Sequence, residues 1–319
     1  NVSDTKVLEP AMYFSKKPVI PDKRKSFLTA FLLGLLIPIG VILILELSND
    51  TIINRNDLDR LTKIPVLGII GRNYSGFKLL SKQSPKSSVY EGFRALRSNL
   101  NFINSDKDSQ VYLVTSSVSG EGKTYVAENL GIVFAKSGKK TLLIGADLRR
   151  PKIYADFSFE NLKGISTHIL SDNSLSEVIL KKEVENLDIL PSGPLPQNPS
   201  DALLTDKFVK MMEDLKKTYE IIVIDTPPLG LVADALTLMK YSDINLYIVR
   251  QKYTKKGLLS YVNEMNKKER LGNLHLVFND IKEGSGAYGY GYGYGYGFGY
   301  GYGDYGYSQS SEYFSDDKK

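Results

Sequence analysis

Hydrophobic and polar positions fall into distinct regimes along this chain. From Phe27 to Leu45 there is no charged residue, and Thr29 carries the only hydroxyl. As a helix these 19 residues would extend roughly 28 Å, close to the hydrocarbon thickness of a bilayer. The pattern predicts a transmembrane helix over residues 27–47, in which Pro38 is tolerated as a kink. A signal peptide is the competing reading, because Lys23, Arg24 and Lys25 precede the run. The run is long for a signal sequence, however, and no small-residue cleavage site follows Leu45.

From Val89 onward the periodicity changes. VYEGFRALRSNLNF carries apolar residues at helical spacing. Short apolar runs follow, namely VYLVTSS, TLLIGAD, LDILPSG, IIVIDTPP, INLYIVR and LHLVFND, and helical stretches such as TYVAENLGIVFAKSG separate most of them. This alternation predicts an α/β fold, a mostly parallel sheet with helices on both faces. Residues 48–85, punctuated by Pro65, Gly68, Gly71 and Pro85, read as a linker with short elements. After Lys282 the chain becomes GYGYGYGYGFGYGYG, with no apolar periodicity to bury, which predicts a disordered tail. The expected organisation is a flank (1–26), the membrane helix (27–47), the linker (48–85), a globular domain (86–283) and the tail (284–319).

Composition narrows the chemistry. The formal charge of +5 is too mild to argue for nucleic acid and supports only a modest attraction to anionic lipid. Cysteine is absent, which excludes disulfides, thiolate metal sites and cysteine nucleophiles and fits the cytosol. His168 and His275 each stand apart from other metal-ligating residues in the sequence, so a histidine metal site is not expected. The chain opens at Asn1, as a piece of a longer protein would.

The most specific motif is Ser117-Val118-Ser119-Gly120-Glu121-Gly122-Lys123-Thr124. It follows an apolar strand and opens a helix, the setting of a phosphate-binding P-loop, with Ser117 in place of the first glycine. Glycines let backbone amides turn inward around phosphates, and the helix adds its positive dipole end. Ser119, Gly120, Glu121, Gly122, Lys123, Thr124 and Tyr125 are thus the candidate ATP contacts. Lys123 would neutralise the β- and γ-phosphates, and Thr124 would ligate magnesium. Asp225, ending the strand IIVI, and Asp147, ending LLIGA, are the candidate acids of the Mg2+ shell. Carboxyl ends of adjacent parallel strands converge on one crevice.

With these motifs in place the sequence resembles the Wzc-like bacterial tyrosine kinases of polysaccharide export. VIDTPP and the P-loop are shared with MinD- and ParA-like ATPases. DLRRP, the helix Glu91-x-x-Arg94-x-x-Arg97 and the terminal tyrosine cluster are more specific together. PVIPDKRK leading into a membrane helix with Gly34, Pro38 and Gly40 adds to the likeness. The resemblance implies a P-loop NTPase fold and an ATP- and magnesium-dependent tyrosine autokinase, with Lys123, Asp147 and Asp225 catalytic. Asp147, projecting from a strand end, is the candidate acceptor of the tyrosine proton.

The resemblance further implies that Asn279 contacts adenine and that Glu91, Arg94 and Arg97 join subunits into a homo-oligomeric ring. The implied phosphoacceptors are Tyr288, Tyr290, Tyr292, Tyr294, Tyr296, Tyr300, Tyr302, Tyr305, Tyr307 and Tyr313, reached in trans. The implied setting is the inner membrane, with kinase domain and tail cytoplasmic, a cognate phosphatase and a polysaccharide export channel as partners. The basic residues Lys16, Lys17, Lys23, Arg24 and Lys25 argue for the opposite orientation, but the nucleotide site must meet cytosolic ATP. One departure stands out. The family's second acidic segment reads Asp-x-Asp-x-Arg, and here the first acid is Gly145. Two other readings stay open: a MinD/ParA-like ATPase switch, and a structural co-polymerase regulator with weak kinase activity.

Overall fold

The computed structural model describes residues 22–103, 107–171, 173–181, 184–230, 234–268 and 271–282. The chain divides into two units, residues 1–50 and 51–319. In the first, helix α1 (Lys23–Leu47) runs unbroken through Pro38. Asp22 caps its start, its side chain accepting from the Arg24 amide at 3.0 Å. The apolar side chains from Phe27 to Leu45 are exposed. The helix is long and apolar enough to cross a membrane.

In the second unit, eight strands form one sheet in the order β1-β8-β7-β2-β6-β3-β5-β4. They are β1 (Val66–Gly71), β2 (Gln110–Ser116), β3 (Thr141–Gly145), β4 (Leu180–Lys181), β5 (Leu187–Leu190), β6 (Ile221–Asp225), β7 (Ile244–Arg250) and β8 (Leu274–Ile281). All neighbours pair in parallel except β4 with β5. The mostly parallel sheet expected from the alternating pattern is therefore present. Its six predicted runs are β2, β3, β5, β6, β7 and β8. The segment 48–85 contributes helix α2 (Arg55–Leu61) and the sheet's edge strand β1.

Successive residues of a strand face opposite sides of a sheet, and a sheet covered on both sides needs apolar residues at every position. β6 meets this requirement. Ile222 and Ile224 join a core with Phe208, Met211, Met212 and Leu215 of the helix Asp206–Thr218. Ile221 and Val223 join the opposite core, with residues of α3 (Ser88–Ile103) and α4 (Lys123–Ala135). Full burial of each such side chain is worth roughly 1.5–3 kcal/mol. α4 is covered twice over, by the sheet and by α3 with the turn at Leu80. Asn129 fastens that turn, accepting from the Leu80 amide at 2.7 Å and donating to the Lys78 carbonyl at 3.1 Å.

Candidate active site

The P-loop lies between the end of β2 and the start of α4. Gly120 and Gly122 hold φ of 94° and 97°, a left-handed conformation that other residues adopt only with strain. A Cβ at Gly122 would also collide with the Asn279 amide, and one at Gly120 with the Tyr253 hydroxyl. Gly122 is the N-cap residue, so α4 starts at Lys123 with its free amides at the loop. Ser117 needs no glycine. Its φ is not positive, its hydroxyl bonds that of Tyr247, and its carbonyl accepts from the Gly230 amide at 3.1 Å.

Lys123, Thr124, Asp147 and Asp225 meet beside this loop. Lys123 Nζ lies 3.1 Å from Asp147 Oδ2 and 3.6 Å from Asp225 Oδ1. The Thr124 hydroxyl donates to Asp225 Oδ2 at 2.8 Å. Asp147 also accepts from the Arg150 amide at 3.0 Å. All but Thr124 are buried. Burial by itself would lower the Lys123 pKa, but the charges of Asp225 and Asp147 raise it, so the ammonium is kept. Burial raises the pKa of Asp225 even against the neighbouring Lys123.

These residues fit a divalent cation. Asp225 Oδ1 is buried without a hydrogen-bond partner, with the Lys123 ammonium 3.6 Å away, so a carboxylate oxygen is left available. Among the described residues, no three acids or histidines converge closely enough to hold a bare ion. A cation here needs further oxygen ligands, as a nucleotide's phosphates supply. Asp147 and Asp225 also line a cleft with Gly145, Lys152, Ile153 and Ser192. β3 thus presents a bare backbone at 145.

The remaining loop candidates serve differently. Glu121 is fully buried, accepting from the Val118 amide at 2.9 Å and the Thr254 hydroxyl at 2.5 Å. Burial raises its pKa despite these bonds. Its side chain braces the loop from inside. Asn279 donates to the Glu121 carbonyl at 3.0 Å, so in this structure its amide supports the loop. Tyr125 stands edge-on to Phe93, ring centroids 5.8 Å apart.

Residues outside the predicted site set complete the brace. Arg250 donates to the Gly120 carbonyl at 2.8 Å, and the Tyr253 hydroxyl to that of Ser119 at 2.9 Å. Arg250 also pairs with Asp280 at 2.9 Å, which in turn pairs with Arg72 at 2.7 Å. Burial would raise the Asp280 pKa, but the two guanidinium groups hold it below its ordinary value. On the other side, Arg149 pairs with Asp234 at 3.0 Å and donates to Ser200 at 2.9 Å.

On α3, Arg94 pairs with Glu91 at 2.7 Å and stacks over the Tyr90 ring. Arg97 instead donates to the Val133 carbonyl near the end of α4 at 2.8 Å. The ten tail tyrosines lie outside the described residues.

Comparison with known proteins agrees with this geometry. Residues 109–276 match the AAA domain family. Tyrosine-protein kinase YwqD of Bacillus subtilis (strain 168) is 36% identical over 179 residues, covering 56% of this chain and 75% of that protein. Tyrosine-protein kinase etk of Escherichia coli (strain K12) is 26% identical over 270 residues, 78% of this chain. The chain spans only 37% of that longer relative. The crystal structure of the chimerical protein CapA2B2 shares 31% identity with a TM-score of 0.67, covering 72% of this chain and 100% of that one. The chain belongs to the AAA domain family and, within it, to the bacterial tyrosine-protein kinases.

Proposed function

We propose that this chain is an ATP- and magnesium-dependent autokinase that phosphorylates its own C-terminal tyrosines, in trans between subunits. The observation that carries the reading is the convergence of Lys123, Thr124, Asp147 and Asp225 beside the P-loop. Magnesium, when bound, neutralises phosphate charge and fixes the phosphates for in-line transfer. Thr124 and Asp225 would hold it. Lys123 binds the β- and γ-phosphates with the charge that the two aspartates keep on it. Asp147, freed of the lysine, accepts the tyrosine proton as the hydroxyl attacks. Little covalent chemistry is asked of the protein, so positioning and charge dominate.

The tail's glycines suit it to enter a neighbour's site, and a ring of subunits brings tails and sites together. α1 serves as a membrane span, with the kinase domain and tail on the cytoplasmic face of the inner membrane. Phosphorylation there regulates export of a polysaccharide through its channel, and a phosphatase reverses it. A regulator with weak kinase activity is favoured by one observation, the bare β3 position at Gly145. Phosphoamino-acid analysis after incubation with ATP and Mg2+ tests the proposal. Phosphotyrosine supports it, and an unlabelled chain that nonetheless binds ATP leaves the regulator.

A further inference from the structure

A second cleft opens beside the P-loop, and no step of the chemistry above uses it. It has a volume of about 210 Å³ and lies at the carboxyl ends of β1, β7 and β8. Four of its lining residues are cationic, namely Arg72, Arg250, Lys252 and Lys282, and Asp280 is the single acid among them. Lys252 and Asp280 both hold a positive φ, 54° and 60°. That conformation is uncommon for residues other than glycine, and it concentrates where function requires it.

Asp280 does not neutralise this cleft. Arg72 donates to both its oxygens, through Nε at 2.7 Å and Nη2 at 2.8 Å, and Arg250 donates to it through Nε at 2.9 Å. One carboxylate thus meets two guanidinium groups, and Lys252 stands exposed beside them. The Tyr253 ring is 44% exposed, and its centroid lies 5.1 Å from the Arg250 guanidinium carbon. A surplus of cationic donors next to an aromatic wall suits a dianion carried on an aromatic ring. The cleft is smaller than the roughly 300 Å³ at which pockets for whole small molecules begin, which fits the head of one side chain.

The chain itself brings such a group to this place. Lys282, the last described residue, lines the cleft, and its amide donates to Gln251 Oε1 at 2.8 Å. Tyr288 follows it by six residues, a reach of up to about 20 Å when extended, so the first tail tyrosines can return to the cleft of their own chain. The tether gives them an effective concentration that a free anion lacks. We propose that this cleft binds a phosphorylated tyrosine of the chain's own tail, its phosphate held by Arg72, Lys252 and Lys282 and its ring set against Tyr253. Arg250 borders the same cleft and donates to the Gly120 carbonyl at 2.8 Å, which links an occupied cleft to the P-loop. The inference rests on the reading of the tail tyrosines as phosphoacceptors.

The test measures binding of a fluorescent synthetic peptide of residues 284–296, phosphorylated at Tyr290, to the phosphatase-treated full chain. The phosphopeptide should bind at least about tenfold tighter than the unphosphorylated peptide. Its affinity should persist in saturating ADP with Mg2+ and fall at high salt. Lys252→Gly suits the positive φ, so it should keep the wild-type melting temperature while weakening binding by about tenfold. Adding Lys282→Gln should weaken binding further. Equal binding of the two peptides, or wild-type affinity in both variants, overturns the inference. Loss of binding in ADP assigns the cleft to the nucleotide and overturns it too. So does inorganic phosphate that competes at the peptide's own affinity, which leaves a site for a bare anion only. The peptide carries its phosphate from synthesis, so a chain that binds it in this way but never labels itself refutes the autokinase reading and upholds the cleft.

Discussion

Thr124 donates its hydroxyl to Asp225 at 2.8 Å, tying the first turn of α4 to the end of β6. The same carboxylate faces Lys123 at 3.6 Å, and Asp147 faces that lysine at 3.1 Å. The lysine proposed to bind phosphate thus also holds these two buried aspartates together.

Lys123→Met should abolish both ATP binding and phosphotyrosine. From the motif alone it should leave folding untouched, but the structure predicts a cost. Removing one partner of a buried ionic group leaves unpaired charge worth about 3 kcal/mol or more. Thermal melting at neutral pH should fall by on the order of 5–10 °C. An unchanged melting temperature would mean that the aspartates are solvated without the lysine.

Arg97 and Arg94 should separate in a way that their shared motif does not suggest. Arg97→Ala removes a charge-assisted bond to the Val133 carbonyl and should cost about 1.5–3 kcal/mol. Arg94→Ala breaks a surface pair with Glu91 and should cost less than about 1 kcal/mol. Chemical denaturation compares them. Light scattering of Arg94→Ala then reads the proposed ring without a folding defect; an unchanged particle size would remove Arg94 from the interface.

Glu128 should make stability fall as pH rises. Its folded pKa is raised well above 4.5, chiefly by burial, so the folded state holds a proton that the unfolded state releases. The favourable contribution is complete below the unfolded pKa and is lost as pH climbs through the folded one. Glu128→Gln keeps the neutral form at every pH. Its melting temperature should exceed the wild type's at neutral pH and approach it near pH 4. Parallel melting curves at all pH values would show that the carboxyl is solvated.

The tail should act as a charge switch. Residues 284–319 carry a net charge of about −2 from Asp304, Glu312, Asp316, Asp317, Lys318 and Lys319. Each phosphate adds roughly −1.5 to −2, so modifying half of the tyrosines takes the tail to around −10. Tails of that charge packed in one ring repel within a Debye length of about 8 Å. Phosphorylated protein should sediment as smaller species than dephosphorylated protein, with the difference shrinking in high salt. Equal sedimentation at both salt levels would remove this role.

The central strands and the P-loop were legible because each is a short local pattern: an apolar run, or glycines before Lys-Thr at a helix start. β1 was not, because Gly68 and Gly71 in VLGIIG read as breaks. In fact a Cβ at Gly68 would come within 2.8 Å of Leu96 Cδ1, so this glycine is a packing requirement of strand on helix. The loop brace was illegible for another reason. Arg250, Tyr253 and Asp280 reach Gly120, Ser119 and Arg72 only through the sheet order, and no spacing records that. Glu128 was missed because a glutamate within a helix reads as a solvated position, whereas α4 has no solvated face at that point.

The central claim is phosphoryl transfer from ATP at this P-loop to tyrosines of a neighbour's tail, leaving ADP, and a mixing experiment tests it most directly. One full chain carries Lys123→Met and can only accept phosphate. The other keeps Lys123 but has phenylalanine at Tyr288, Tyr290, Tyr292, Tyr294, Tyr296, Tyr300, Tyr302, Tyr305, Tyr307 and Tyr313, and can only donate. With ATP and Mg2+, each alone should remain free of phosphotyrosine, and the mixture should acquire it on the Lys123→Met chain. A mixture that stays unlabelled, or a Lys123→Met chain that labels itself alone, would contradict the account.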